Sequence, residues 1–347
     1  MDKVRIAAVG LVSDHFWRVA GNFAALPAVE FVAVADPHPE LCQRAQQRFG
    51  FKRNYGDYRL MLDKEQVDAV MVYTDNASKA DVVEEAARRG LHVCQDKPMS
   101  ATLAQADRIV RAVEQSGIKL LVTYYSHFGA AYGKAKELIE QGKIGKVYLA
   151  RAIIGHAGCE EVGLSRYFID CLYSPERNGG GVFNDEACYA ALCFTDYLGP
   201  VEEVCAFMVQ SGLRRLPPGV EDNTVAMVRF KSGALGIMDV KWGQYGNMPF
   251  GNSFHGSEGT ILSGAEGVRI YSRTALPGDL VGWVDLGIGR TPRPGFGTEA
   301  EYFVRCILED RPIASPVNAQ GARAAQEVLE ACYLSARTGK VVKLPLQ

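Results

Sequence analysis

The turn Gly10-Leu11-Val12-Ser13-Asp14-His15 follows an apolar run and opens a segment of helical period. In that arrangement backbone amides and a helix dipole can face a diphosphate. Of the pattern G-x-G-x-x-G it keeps the first glycine, while Val12 and His15 stand in the second and third places. Asp36 ends the next apolar run, 26 residues beyond Gly10, close to the spacing of an acid that accepts hydrogen bonds from an adenosine ribose. An acid there favours NAD and makes NADP the weaker candidate. A 2′-phosphate would meet a like charge, and no arginine follows in Asp36-Pro37-His38-Pro39 to offset it. Gly10, Val12, Ser13, His15 and Asp36 are therefore candidate cofactor residues, and Asp14 reads as the cap of the helix it precedes.

Other chemistry-bearing residues lie further along. His156-Ala157-Gly158-Cys159-Glu160-Glu161 collects possible metal ligands, but no second ligand pair stands at zinc-site spacing, so no metal is expected and His156 reads as a substrate contact. Arg166 offers a planar fork for a carboxylate or for hydroxyls; the alternative is an exposed loop. Cys188 and Cys193 read as small buried side chains, since no histidine lies near them in sequence. Gly179-Gly180-Gly181 lacks the Gly-Lys-Ser/Thr ending of a phosphate loop and reads as a place of close backbone approach.

The elements that must hold these residues fall into two textures. Up to residue 123, short apolar runs at Arg5–Val9, Phe31–Ala35, Ala69–Tyr73, Leu91–Cys94 and Lys119–Thr123 alternate with helical periods. Among those periods are Ala77–Arg89 and Leu103–Ser116, with Gly90 and Gly117 at their ends. This predicts a doubly wound parallel sheet, a Rossmann domain over residues 1–123. After a linking helix over Ala131–Gln141, alternating strands appear at Val147–Ile154, Val201–Gln210, Thr224–Phe230 and Leu235–Lys241. They predict an α+β domain over 124–347 with a large, open, mostly antiparallel sheet, whose exposed face either binds something or pairs with another subunit. Pro277–Gly297 reads as a long loop, and helices at Glu299–Leu308 and Ala319–Thr338 follow.

Composition narrows the function classes. The 347 residues carry 38 Lys and Arg against 40 Asp and Glu, a net charge of −2, so no field draws the chain to nucleic acid or anionic lipid. The opening MDKVRIAAVG has no signal-peptide character and no apolar run is long enough for a membrane span. Nine cysteines without a CxxC pair suit reduced thiols, and the expected location is the cytoplasm.

Tyr73-Thr74-Asp75-Asn76, Val93-Cys94-Gln95-Asp96-Lys97-Pro98 and Gly179-Gly180-Gly181-Val182-Phe183-Asn184-Asp185, in that order, resemble the Gfo/Idh/MocA oxidoreductase family over essentially the whole chain. The resemblance implies a Rossmann domain, a tightly bound nicotinamide cofactor, and a homodimer or homotetramer formed through the C-terminal sheet. It further implies sugars, sugar acids or cyclitols as substrates. The family's T-P-N turn is similar to Thr74-Asp75-Asn76, which brings Thr74 and Asn76 to the cofactor, with Asp75 in place of the proline. Its E-K-P motif matches Asp96-Lys97-Pro98; by resemblance Lys97 contacts both nicotinamide ribose and substrate hydroxyl, and Asp96 lies with the cofactor. The family's D-x-x-x-H pattern is carried as Asp185-Glu186-Ala187-Cys188-Tyr189, so a tyrosine stands where the catalytic histidine belongs. An unperturbed tyrosine titrates near pH 10, and a lysine close by would favour its phenolate. His127, where relatives carry Arg, is the alternative source of an imidazole. Arg166 and Tyr167 lie where family members place substrate-binding side chains.

The function implied is NAD-dependent oxidation of a secondary hydroxyl of a sugar, sugar derivative or cyclitol. Lys97 would polarise the reacting oxygen, Asp185 would hold hydroxyls or orient the base, and Tyr189 or His127 would handle the proton, with His156, Arg166 and Tyr167 as further substrate contacts. Two alternatives stand beside it: transient oxidation, elimination and re-reduction with recycled NAD, and a non-catalytic cofactor-sensing regulator.

Overall fold

The computed structural model describes residues 3–246, 248, 251–276 and 280–346. The chain divides into two compact units. Met1–Tyr124, Leu164–Gly179 and Gly297–Arg323 make the first; Tyr125–Gly163, Gly180–Phe296 and Ala324–Gln347 make the second. Two segments from beyond residue 123 thus pack with the first unit.

In the first unit, strands β1 (Val4–Val9), β2 (Val29–Ala35), β3 (Arg53–Tyr55), β4 (Ala69–Val72), β5 (His92–Asp96) and β6 (Leu120–Thr123) form a parallel sheet. Their order is β3-β2-β1-β4-β5-β6. The order reverses beside β1, which opens a ligand crevice at the carboxyl ends of the strands. Ile6, Ala7, Ala8, Val70, Met71 and Val93 are wholly buried, as strands covered by helices on both faces require. Those helices include α1 (His15–Ala24), α2 (Pro39–Phe49), α3 (Tyr58–Lys64), α4 (Lys79–Arg88) and α5 (Leu103–Ser116). Helix α5 keeps the bounds expected from its period because both ends are marked. Thr102 and Gln105 form a capping box, and Gly117 ends the helix at φ +70. Strand β3 was not expected: three residues, two of them exposed, give no apolar run to read.

In the second unit, β7 (Val147–His156), β8 (Val201–Val209), β9 (Asn223–Phe230), β10 (Leu235–Trp242), β11 (Asn252–Gly256), β12 (Gly259–Gly264), β13 (Gly267–Leu276), β14 (Leu280–Asp285) and β15 (Val342–Lys343) form one sheet. Its order is β14-β13-β12-β11-β7-β10-β9-β8-β15. The β10–β7 pair is parallel and the other pairs are antiparallel. Thr224, Ala226, Val228 and Phe230 of β9 point inward, while Val225 and Met227 are exposed. The helix Val182–Leu198 packs on the inner face against β7, β9 and β10, and is buried over most of its surface.

The loop expected over Pro277–Gly297 is corrected by β14, in which Trp283 lies opposite Tyr271 of β13 with ring centroids 5.9 Å apart. This aromatic pair holds a strand in a segment whose glycine content argued for a loop. Pro277, Gly278 and Asp279 lie outside the described residues. Among the described residues no helix is long and apolar enough to cross a membrane, and all of the cysteines are free thiols.

Candidate functional site

Gly10 leaves β1 at φ +75, and a Cβ there would come within 2.5 Å of the Thr74 side chain. Only glycine permits this approach of two turns at the carboxyl ends of β1 and β4. The next amide, of Leu11, donates to Asp36 Oδ2 at 2.6 Å, and Asp36 Oδ1 accepts from the His38 amide at 2.8 Å. Asp36, at the end of β2, is thereby fixed to the glycine turn.

Val12 and Ser13 are buried, and Ser13 Oγ donates to Asp96 Oδ2 at 2.6 Å. His15 Nδ1 lies 3.0 Å from the same oxygen, and Asp96 Oδ1 accepts from the Lys97 amide at 2.9 Å. Burial opposes ionisation of Asp96, yet His15, Lys79 and Lys97 together hold its carboxyl well below the usual carboxylate range. Ser13 and His15, the latter at the third glycine position, are thus tied by side-chain bonds to the turn that carries Lys97, itself buried. Asp14 does not cap α1 through its side chain; its Oδ2 accepts from the Ser165 amide at 2.6 Å, which corrects the expected role.

Lys79 was not anticipated. It is completely buried at the first position of α4, and its Nζ donates to Asn76 Oδ1 at 2.8 Å, Asp96 O at 2.8 Å and Pro98 O at 2.7 Å. Three donors meet three acceptors, linking the Thr74–Asn76 turn to both neighbours of Lys97. Asn76 Nδ2 in turn donates to Asn178 Oδ1 at 2.8 Å, and Arg177 Nε to Asp75 Oδ2 at 3.2 Å. Ser13, Thr74, Asn76, Asp96, Phe168 and Arg177 line a small cavity. The glycine without room for a Cβ, the acid closing β2 and the polar turns after β4 and β5 fit a nicotinamide dinucleotide.

The structure gives Arg166 and Tyr167 to this first unit. Tyr167 donates its hydroxyl to Glu40, and its ring meets the edge of His38 at 4.9 Å. The Arg166 guanidinium sits over the Tyr167 ring. Both lie beside the turn that carries Asp36 and His38.

In the second unit, Asp185 lies in the first turn of the Val182–Leu198 helix and is 4% exposed. That helix start is held by Glu221, whose carboxylate accepts from the amides of Gly181 and Phe183, both at 2.9 Å, and from the Tyr333 hydroxyl at 2.8 Å. Tyr333 Oη also accepts from the Asn184 amide at 3.1 Å. A Cβ on Gly181 would lie 2.0 Å from Glu221 O, so the glycine run serves close packing in place of phosphate binding. Burial pushes the Glu221 carboxyl up despite these hydrogen bonds.

Tyr189, one turn beyond Asp185, meets the Tyr125 ring edge-on at 5.0 Å. His156, at the end of β7, brings Nε2 to 3.9 Å from Glu186 Oε1. The ligand atoms of His156, Asp185 and Glu186 all lie within 4.8 Å of one another. His156 Nδ1 accepts from the Gly158 amide at 3.1 Å, so the neutral ring carries its proton on Nε2. The atom facing Glu186 is a hydrogen-bond donor, which suits hydroxyl and carboxylate partners.

His127 is enclosed by Phe128, Tyr132 and Phe296, with Arg293 3.4 Å from its Nε2. Burial, then Arg293 and Lys136, push its pKa down to about 3, so it stays neutral and is poorly suited to take a proton near neutral pH. Cys193 is buried and its thiol is pushed up by burial, consistent with packing.

The family description "Oxidoreductase family, NAD-binding Rossmann fold" matches residues 4–124, and the Gfo/Idh/MocA C-terminal domain matches 132–262. Levoglucosan dehydrogenase of Pseudarthrobacter phenanthrenivorans is 25% identical over 73% of this chain and 72% of its own length. The NAD(+)-dependent scyllo-inositol 2-dehydrogenase of Bacillus subtilis is 23% identical over 91% and 90%. Among solved structures, a levoglucosan dehydrogenase complexed with NADH and levoglucosan superposes with a TM-score of 0.86 at 22% identity, covering 99% of this chain and 100% of its own. An aldose-aldose oxidoreductase from Caulobacter crescentus gives 0.81 at 23% identity, covering 99% and 100%. The chain belongs to the Gfo/Idh/MocA family of oxidoreductases, and the sheet that carries Gly10 and Asp36 is its NAD-binding Rossmann domain.

Proposed function

We propose that the protein is an NAD-dependent dehydrogenase that oxidises a secondary hydroxyl of a sugar, sugar derivative or cyclitol. The observation that carries this reading is the grouping of Asp185, Glu186 and the Nε2–H of His156 one turn from the Tyr189 phenol. Two carboxylates and a fixed donor match the alternating acceptors and donors of neighbouring hydroxyls. The relatives named for levoglucosan and inositols support the same substrate class.

Gly10, Val12, Ser13, His15, Asp36, Thr74, Asn76 and Asp96 hold the dinucleotide. When bound, NAD supplies the hydride acceptor. Lys97 orients and polarises the reacting oxygen, Asp185 holds substrate hydroxyls, and Tyr189 takes the proton. The exposed apolar residues Phe207, Val225 and Met227 on the outer sheet face provide the surface through which copies of the chain pair.

The test is the appearance of reduced-nicotinamide absorbance when protein and NAD meet a panel of pyranoses, anhydrosugars and inositols. Absorbance that rises with one of these classes supports the reading. Binding of NAD with no reduction by any of them sinks it.

A further inference from the structure

His38 lies two residues after Asp36, at the N-cap of α2. Its Nδ1 sits 2.7 Å from Asp36 Oδ1, the oxygen that also accepts the His38 amide. The Asp36 carboxylate is buried, whereas the His38 side chain is 40% exposed and open to protons from solvent. With Nδ1–H donating to Asp36, the neutral ring leaves Nε2 to take a second proton without breaking that bond. His156 is the reverse case: its Nδ1 already accepts an amide, and a second proton would have to displace the Gly158 bond.

We propose that His38 determines which nicotinamide dinucleotide the site accepts. With His38 neutral, the charge of Asp36 excludes a ribose 2′-phosphate; with His38 protonated, the pair is neutral, Nε2–H becomes a second donor, and NADP is accepted beside NAD. This rests on the reading of Asp36 as the ribose-facing acid of an NAD site. Asp36 alone would exclude the phosphate at every pH at which it is ionised.

Asp36 and the Glu40 carboxylate favour the charged ring. Arg166, over the Tyr167 ring that packs against His38, and the N-terminal dipole of α2 oppose it. An ordinary histidine titrates near 6.5, within reach of small environmental effects.

The experiment is calorimetric titration of the whole protein with NAD+ and with NADP+ between about pH 6 and 8, for the native chain, His38→Gln and His38→Arg. His38→Gln keeps a donor toward Asp36 but cannot charge. It therefore measures the part of the trend that comes from the 2′-phosphate, whose own second pKa is about 6. The expected result is a preference for NAD+ over NADP+ that falls with acidification about tenfold more in the native chain than in His38→Gln, the difference being the loss of one repelling charge. His38→Arg should bind NADP+ at both ends of the range. The same pH trend in native and His38→Gln proteins, with NAD+ binding intact, overturns this inference alone, as does exclusion of NADP+ by His38→Arg. Failure of NAD+ to bind at any pH overturns the cofactor reading, and this inference with it.

Discussion

The two units fix their chemistry-bearing turns with a buried charge of opposite sign. In the first, the Lys79 ammonium clamps Asn76 to the carbonyls on either side of Lys97. In the second, the Glu221 carboxylate gathers two amides and a phenol at the helix start that carries Asp185. Glu221 sits where a helix dipole welcomes an anion; Lys79 sits at the start of α4, where the dipole disfavours a cation. The lysine is therefore held by its three acceptors against the local field, while the glutamate works with the field and against burial alone. In both units the residue that does the positioning is distant in sequence from the residue it positions.

The largest effect expected is on Lys97 itself. Lys97→Ala should lower kcat by about 10²–10⁴-fold with the fold intact by circular dichroism; unchanged turnover on an identified substrate would refute its role. Next comes Lys79→Met, which leaves three buried acceptors without their donor. At about 1–3 kcal/mol for each stranded acceptor, less the desolvation relieved by removing the ammonium, a net loss of roughly 2–4 kcal/mol is expected in denaturant unfolding. It should also weaken NAD binding. Glu221→Ala, by contrast, should raise KM for the sugar and leave the NAD dissociation constant unchanged, since all of the bonds described for it lie in the second unit. If both variants move both constants alike, the division of labour between the two charges does not hold.

What was legible in the sequence follows the same division. The β1, β2, β4, β5 and β6 runs were readable because strands buried on both faces must be apolar throughout, and Gly10 and Asp36 because their spacing is set by one βαβ unit. Strands β11 to β14 were not, since short strands rich in Gly and Ser owe their place to cross-strand partners such as Tyr271 and Trp283. Asp185 and Tyr189 could be found through the resemblance to the family's D-x-x-x-H pattern, whose spacing is one helix turn. Lys79, Glu221 and Tyr333 carry no local signature: a lysine at a helix start or a glutamate between two strands reads as solvated until the fold brings acceptors or donors to it. Arg166 and Tyr167 were legible as polar contacts but not as neighbours of Glu40 and His38, because nothing in the chain marks residues 164–179 as part of the first unit.

Tyr189→Phe tests the residue that replaces the family's histidine. A proton role predicts a fall in kcat of about 10²-fold with loss of the alkaline or acid limb of the pH profile, whereas a binding role predicts a modest rise in KM and an unchanged profile. Because His127 is held neutral down to about pH 3, it should not take over the limb, and His127→Gln should leave the pH profile where it is.

The smallest expected effect is an opposite response of the two buried carboxyls to pH. Burial resists ionisation of Asp96, but His15, Lys79 and Lys97 outweigh it and lower its pKa from 3.8. A group lowered on folding lends stability above its ordinary value and withdraws it as pH falls through the folded one, so the contribution of Asp96 should stay constant on acidification until well below 3.8. For Glu221, burial outweighs the hydrogen bonds and raises the pKa from 4.5, so the folded state binds the proton more tightly than the unfolded chain. Its contribution is complete below 4.5 and is lost as pH rises through the raised value. Hydrogen exchange, corrected for intrinsic rates, should therefore show the amides of Gly181 and Phe183 gaining protection between neutral pH and the ordinary glutamate range. Those of Ser13 and His15 should stay level over the same interval. Parallel changes in the two turns would mean that the two buried charges do not act independently.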